Sequence, residues 1–400
     1  MLPVTRSYLP NIAKYTRYIE RIYAHGQLSN NGPLVQALTE RLEDYLGVEN
    51  LLLVCNGSAA LTLAYKALGV SGSVLTTPFT FVATSSIPAW LGIEPAYADV
   101  HPETWNLDPR SMEQGLRQNT TAVGPTHVFG NPCDDERISA IAARHDLRVI
   151  YDAAHAFGVR KNGESILKWG DASAMSFHAT KVFHAVEGGG VVFRDREALE
   201  RARAMTNFGM DPGTQAVTMQ GTNVKLSEVH AAMGLAVLED IDLILERRQS
   251  LVERYRARLG NALEFQTWDE TVEANGAYMP VLFTDPQTCE RVLEALQREK
   301  IFPRRYFYPS LNRMQPYADL GHAVRAESIA QRMLCLPLYV DLMPHDLERI
   351  CDIVLATLQE CRRLSVIAAQ TPVCMAPVTP LDGSASREVP PLQRLKIQAA

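Results

Sequence analysis

A chain of 400 residues is long enough to bury a sizeable core and, as a prior, to form two or three domains. With 46% hydrophobic and 21% charged residues, its composition is that of an ordinary globular protein. A net charge of −6, with no basic cluster to track a phosphate backbone, argues against nucleic acid as a partner. The opening residues, 1–6, lack the charged and apolar regions of a signal peptide, and no apolar run approaches spanning length. A cytoplasmic protein without membrane contact is therefore expected. The seven cysteines are scattered and none sits at C-x-x-C spacing, which suits free thiols and leaves no structural metal site.

In chain order, Asn11–His25 carries Ile12, Tyr15, Ile19 and Ile22 at helical spacing and ends at Gly26. A polar loop, 27–32, includes Asn30 and Asn31, which serve a turn or touch a sugar equally well. Pro33 then opens a helix to Leu46, stopped by Gly47. From Leu51 to Phe193 short apolar runs alternate with helical patterns. The runs are Leu51–Cys55, Ser73–Thr77, Pro95–Val100, Ala122–Val128, Arg148–Asp152, Ala172–Phe177 and Gly190–Phe193. This alternation predicts an α/β fold around a mostly parallel, buried sheet, with chemistry in the loops after the strands. Lys225–Leu259 reads as one long helix bridging two lobes. A smaller α+β region follows, with strands at Ala277–Phe283 and Pro303–Tyr308 and helices near Gln287–Lys300 and His345–Leu364. The expected division is a large lobe, 1–245, a small one, 246–365, and a disordered tail, 366–400, where Pro, Ser, Thr and small residues lose all period.

Several residues carry chemistry. Asn56-Gly57-Ser58 runs from a strand into a helix, offering a hydroxyl and a helix N-terminus to a phosphate; taken alone, the stretch favours Ser58 as the helix cap. Asp152 ends a buried strand and needs a partner, a ligand nitrogen or the next turn, with His155 orienting it or packing. Phe81 is either a stacking ring or core. Lys181 sits between the runs ending at Phe177 and beginning at Gly190, among Ser176, His178 and Thr180. Poor hydration there makes an amine a Schiff-base nucleophile; a solvated hairpin lysine is the alternative. Arg304 and Arg305, beside Tyr306 and Tyr308, would hold a nucleotide diphosphate or form a solvated pair.

The order of these parts resembles fold-type I pyridoxal-phosphate enzymes. Within them, "NGSAAL", "TPFTFVATSS", "THVFGNPCD", "YDAAHAFG", "SFHATKVFHAVEGG" and "GTNVKLSEVHAAMGL" look like the DegT/StrS aminotransferases that act on nucleotide-linked sugars. The resemblance spans about 4–364 and implies a large domain with a mostly parallel sheet plus a smaller C-terminal domain. It implies pyridoxal 5'-phosphate as cofactor, with Lys181 as its covalent lysine, Asp152 at the ring nitrogen and Phe81 stacked on the ring. Ser58, the Ala59 N–H and Ser176 would meet the phosphate, as would Asn223 from a neighbouring subunit, making a homodimer with shared sites. Asn223 would otherwise cap the helix that follows it.

His155 and His178 join the site by the same resemblance, His178 as a catalytic residue typical of enzymes aminating carbon 4 of the sugar. Asn30, Asn31, Lys225, Arg304, Arg305 and Tyr308 are the sugar-binding candidates. The implied reaction moves an amino group from L-glutamate to a nucleotide-linked 4-ketosugar, as viosamine-forming transaminases do on a dTDP sugar. A GDP- or UDP-linked 4-ketosugar is the near alternative, and a non-catalytic regulatory protein of the same fold the distant one.

Overall fold

The computed structural model describes residues 1–370 except Pro212 and Asp319. All seven apolar runs of the first half are strands of one sheet. They are β1 (Leu51–Val54), β2 (Ser73–Thr76), β3 (Glu94–Tyr97), β4 (Thr120–Val123), β5 (Arg148–Asp152), β6 (Ala172–Ser176) and β7 (Gly189–Phe193). Their spatial order is β1-β7-β6-β5-β4-β2-β3. β7 runs antiparallel to both its neighbours, and every other pairing is parallel. Six strands therefore end at the same edge.

The helices of this part are α1 (Ile12–His25), α2 (Pro33–Leu46), α3 (Gly57–Ala67), α4 (Ala83–Trp90), α5 (Pro109–Gly115), α6 (Asp135–Arg144), α7 (Arg196–Met205) and α8 (Glu228–Leu238). They cover both faces of the sheet, and the strand residues divide accordingly. Leu51, Leu53 and Val192 pack into a core with α1, α2 and α8. Leu52, Val54, Val191 and Phe193 point the other way, into a core with α3 and α7. A strand buried on both faces has no polar alternation, which is why these segments read as unbroken apolar runs.

The long helix expected over Lys225–Leu259 is two: α8 and α9 (Ile241–Leu259). No Gly or Pro marks the break. The corner is held from outside, by Tyr18 and Arg17 donating to Glu239 and by Tyr8 and Lys14 donating to Asp240. Apolar spacing continues across it, so the period alone could not show it.

Beyond α9 lie β8 (Pro280–Leu282), α10 (Pro286–Arg298), α11 (Val324–Arg332), β9 (Met333–Cys335) and α12 (Pro344–Gln370). β8 and β9 pair antiparallel over a core of their own that includes Leu251, Tyr255, Val281, Val292, Leu334, Ile350 and Val354. Of the expected strand Ala277–Phe283 only the middle is extended. The expected strand at Pro303–Tyr308 does not form. Ile301–Phe302 pairs with Leu2–Pro3, and past Pro303 only Arg304 bridges to Cys335. Pro303 lacks a backbone donor and Pro309 closes the run, which starves a ladder at both ends.

Met1–Gln359 form one compact unit, and a second begins at Glu360. α12 continues past 366, where the disordered tail was expected to start; the rest of that tail, 371–400, lies outside the described residues. Among the described residues no helix is long and apolar enough to cross a membrane.

Candidate active site

The site lies at the shared edge where the strands end. β5 finishes at Asp152 and β6 at Ser176, in register with Asp152 opposite Ala174. After β6 the chain makes a compact loop back to β7. Its backbone closes on itself through Phe177 N–H to Gly188 O (2.8 Å), Ala179 N–H to Val186 O (2.7 Å) and Ala185 N–H to Phe177 O (2.9 Å). Lys181 rides in this loop, its own N–H donating to His178 O at 2.9 Å. Gly189 has to be glycine: a Cβ there would stand 2.5 Å from the Asn56 backbone, between β7 and the start of α3.

These elements enclose a cavity of about 470 Å³. Ser58 enters from α3, Thr80 and Phe81 from the loop before α4, and Asp152 and His155 from the end of β5. Ser176, His178, Lys181 and Glu187 come from the β6–β7 loop, and Tyr278, Arg304, Tyr306 and Phe307 from the second half of the chain.

Burial pushes the Lys181 ammonium down to about 8, with the Asp152 carboxylate opposing the shift. An amine so placed keeps a reactive unprotonated fraction near neutral pH. Asp152 is buried, yet each carboxylate oxygen has a donor. Thr84 Oγ1 donates to Oδ2 at 2.7 Å and the Ala154 N–H to Oδ1 at 3.1 Å. His155 is held neutral, first by burial and then by the nearby Lys181 ammonium. Its Nδ1 accepts the Phe129 N–H at 3.2 Å, so the ring proton is on Nε2 and faces Tyr278 Oη at 3.2 Å. Phe129 and Phe307 lie parallel to the ring, at 6.2 and 6.3 Å between centroids. His178 Nδ1 accepts from the Thr180 N–H and lies 2.8 Å from Thr180 Oγ1. Its Nε2 faces Glu187 at 3.6 Å.

Of the residues singled out in the sequence, Lys181, Asp152, His155, His178, Ser58, Ser176, Phe81 and Arg304 all line this cavity. Ala59 does not. Its N–H, expected at a phosphate, donates instead to Asn56 Oδ1 at 2.8 Å, because Asn56 and not Ser58 is the cap of α3. That cap leaves the Ser58 side chain exposed to the cavity.

Arg305 and Tyr308 stand elsewhere. Arg305 donates to Glu290 (2.9 Å) and to Gln331 O (2.8 Å) and covers the Tyr308 ring at 3.7 Å. Of the two adjacent arginines Arg304 lines the cavity, while Arg305 is engaged by Glu290 and Gln331. It lies over Tyr306, 5.0 Å from the ring centroid.

Asn30, Asn31, Asn223 and Lys225 do not line this chain's cavity either. Asn30 and Asn31 are exposed, in left-handed backbone. Lys225 donates to Asn207 at 2.8 Å. Asn223 is exposed in a projecting hairpin, bridged to Asn207, and Ser227 is the residue that caps α8. The capping alternative for Asn223 is thereby corrected.

Sequence reasoning passed over Thr80, Thr84, Thr126, Glu187 and Tyr278, and named Tyr306 only as an aromatic beside Arg304 and Arg305. Thr80 and Thr84 are four residues apart, the only local signal among them; the others meet through the fold.

A phosphate-bearing aromatic aldehyde fits this donor set. The cavity holds one softened amine, one buried carboxylate, the hydroxyls of Ser58 and Ser176, and an exposed aromatic ring in Phe81. Those groups match the aldehyde, ring nitrogen, phosphate and ring face of pyridoxal phosphate.

Comparisons with known proteins agree with that fit. The DegT/DnrJ/EryC1/StrS aminotransferase family matches residues 11–355 of this chain. A dTDP-4-amino-4,6-dideoxy-D-glucose transaminase of Shigella dysenteriae is 39% identical, over 88% of this chain and 97% of that protein. One of the same description from Escherichia coli is 35% identical, over 88% of this chain and 98% of that protein. The crystal structure of DesI in the presence of its TDP-sugar product superposes with a TM-score of 0.86 at 33% identity, over 92% of this chain and 96% of that one.

Proposed function

The chain belongs to the DegT/DnrJ/EryC1/StrS aminotransferase family, and on that premise we propose that it aminates carbon 4 of a nucleotide-linked 6-deoxysugar. The substrate proposed is dTDP-4-dehydro-6-deoxy-D-glucose, the donor L-glutamate and the product dTDP-4-amino-4,6-dideoxy-D-glucose. The chain is an aminotransferase and its cofactor is pyridoxal 5'-phosphate. The observation that carries the chemistry is the meeting of Lys181, softened to about 8, with the doubly hydrogen-bonded Asp152 in one cavity. The choice of sugar rests on the two similar transaminases.

When bound, the cofactor supplies an electron sink for a carbanion. Lys181 Nζ is the group that would hold the cofactor and, when free, would move protons as the base of the site. Asp152 would pair with the ring nitrogen, Ser58 and Ser176 would hold the phosphate, and Phe81 would face the ring. His178, with Thr180 and Glu187 beside it, would meet the substrate in the same cavity.

The proposed enzyme is a cytoplasmic homodimer in which Asn223 of one subunit reaches the phosphate in the other. Its exposed hairpin supports that reach, as do the exposed Phe208 and Val217 on the same arm. Asn30, Asn31 and Lys225 would come to the sugar by the same route. The division into a cofactor lobe, 1–245, and a smaller lobe, 246–365, is supported by the separate core of the latter.

Incubation with glutamate and a panel of dTDP-, GDP- and UDP-linked 4-ketosugars, read by mass spectrometry, tests the assignment. An aminated dTDP sugar is expected. Product from the GDP or UDP sugars alone would move the assignment to another nucleotide, and no product from any would remove it.

A further inference from the structure

Beside Asp152 three buried hydroxyls form a line, two of which, those of Thr80 and Thr126, belong to residues that also line the cavity. Thr84 Oγ1 is 2.7 Å from Asp152 Oδ2, Thr80 Oγ1 is 2.9 Å from Thr84 Oγ1, and Thr126 Oγ1 is 3.0 Å from Thr80 Oγ1. All three threonines are buried. The direction of the line follows from chemistry. An ionised carboxylate only accepts, so the single Thr84 proton goes to Asp152. Thr84 must then accept from Thr80, and Thr80, its proton spent, from Thr126. Three dipoles point the same way and end on one carboxylate oxygen.

The line is also anchored. Thr126, three residues past the end of β4, forms an isolated parallel bridge with Asp152, and the Asp152 N–H donates to Pro125 O at 2.8 Å. With the Ala154 N–H on Oδ1, the carboxylate is fixed in rotation and still has lone pairs to offer the cavity.

We propose that Thr84, backed by Thr80 and Thr126, is a positioning residue that fixes the orientation of the Asp152 carboxylate for the ring nitrogen of the cofactor. This rests on Asp152 being the ring-nitrogen partner. The other titratable groups around Asp152 are Lys181, His155, Tyr65 and Tyr278. A Thr84→Val change keeps all of them and nearly all of the side-chain volume.

The visible absorbance of the bound cofactor reports the proton on the nitrogen joining it to Lys181. A proton on the ring nitrogen repels that one, so weakening Asp152 moves the absorbance midpoint to higher pH. Thr84→Val should raise the midpoint by about half a unit or more, since hydrogen bonds to charged groups are the stronger ones. Thr84→Ser should restore it. Thr126→Val, at the far end of the line, should shift it in the same direction by less. Asp152→Asn, measured alongside, separates the two claims. If Asp152→Asn shifts the midpoint and neither valine variant does, the hydroxyl line is only packing and the proposal falls. If Asp152→Asn itself leaves the midpoint in place, Asp152 is not the ring-nitrogen partner and the proposal falls with that reading.

Discussion

Asn56 Oδ1 accepts the Ala59 N–H at 2.8 Å, so the helix that faces the cavity is capped by the last residue before it rather than by the serine within it. Asn56→Ala should cost about 1 kcal/mol of stability through loss of that cap, and Asn56→Asp should recover most of it. Urea unfolding of the three proteins checks this. Equal stabilities would mean the cap contributes nothing here.

Lys181 should set the pH dependence of cofactor capture. Burial brings its pKa down from 10.5 to about 8, so the reactive amine grows as pH rises toward 8 and saturates above it. The rate of capture by cofactor-free enzyme should rise about tenfold per pH unit below that point and level off beyond it. Lys181→Ala should abolish turnover and the covalent absorbance band while retaining some cofactor through its other contacts. Substantial amination by that variant would sink the assignment.

Arg304 and Arg305 should behave differently despite their adjacency. Arg304→Ala removes a cation from the cavity and should raise the sugar-nucleotide KM by roughly tenfold or more, sparing the half-reaction with glutamate. Arg305→Ala breaks contacts with Glu290, Gln331 and Tyr308 and should lower stability with little change in KM. Steady-state kinetics and a thermal melt on both variants decide it; a KM effect confined to Arg305→Ala would reverse the placement.

Subunit mixing tests the shared site. Lys181→Ala and Asn223→Asp should each be inactive alone, the second because a carboxylate repels the phosphate. A mixed dimer contains one site free of both lesions, so activity should return after subunit exchange. With exchange demonstrated and both parents inactive, no recovery would count against Asn223 acting across the interface.

The sheet was legible because each strand is buried on both faces and bounded by breakers, leaving runs such as Leu51–Val54 with no competing reading. Lys181 and Asp152 were legible because each closes or follows such a run. What escaped depends on contacts made at a distance. Nothing local to Glu239 and Asp240 announces a corner, since the groups that hold it belong to Tyr8, Lys14, Arg17 and Tyr18. The aromatic stretch after Pro303 has strand-like composition, and only the lack of donors at its ends decides otherwise. Thr126 reads as an ordinary β-branched residue until the parallel bridge with Asp152 sets it beside Thr80.

The place of β7 has a consequence for the order in which the protein can come into being. β1 has one neighbour in the sheet, and that neighbour is the last of the seven strands to be synthesised, with Gly189 opposite Val54. Nascent β1 must therefore wait, unpaired, until the ribosome has delivered the chain through Phe193. Ser58 follows β1, and Ser176 and Lys181 lie on the far side of β7, so the two halves of the phosphate cradle meet only when that last strand is inserted. A closure of such long sequence separation is slow. The phosphate cradle is thus expected to be among the last features of the sheet to form.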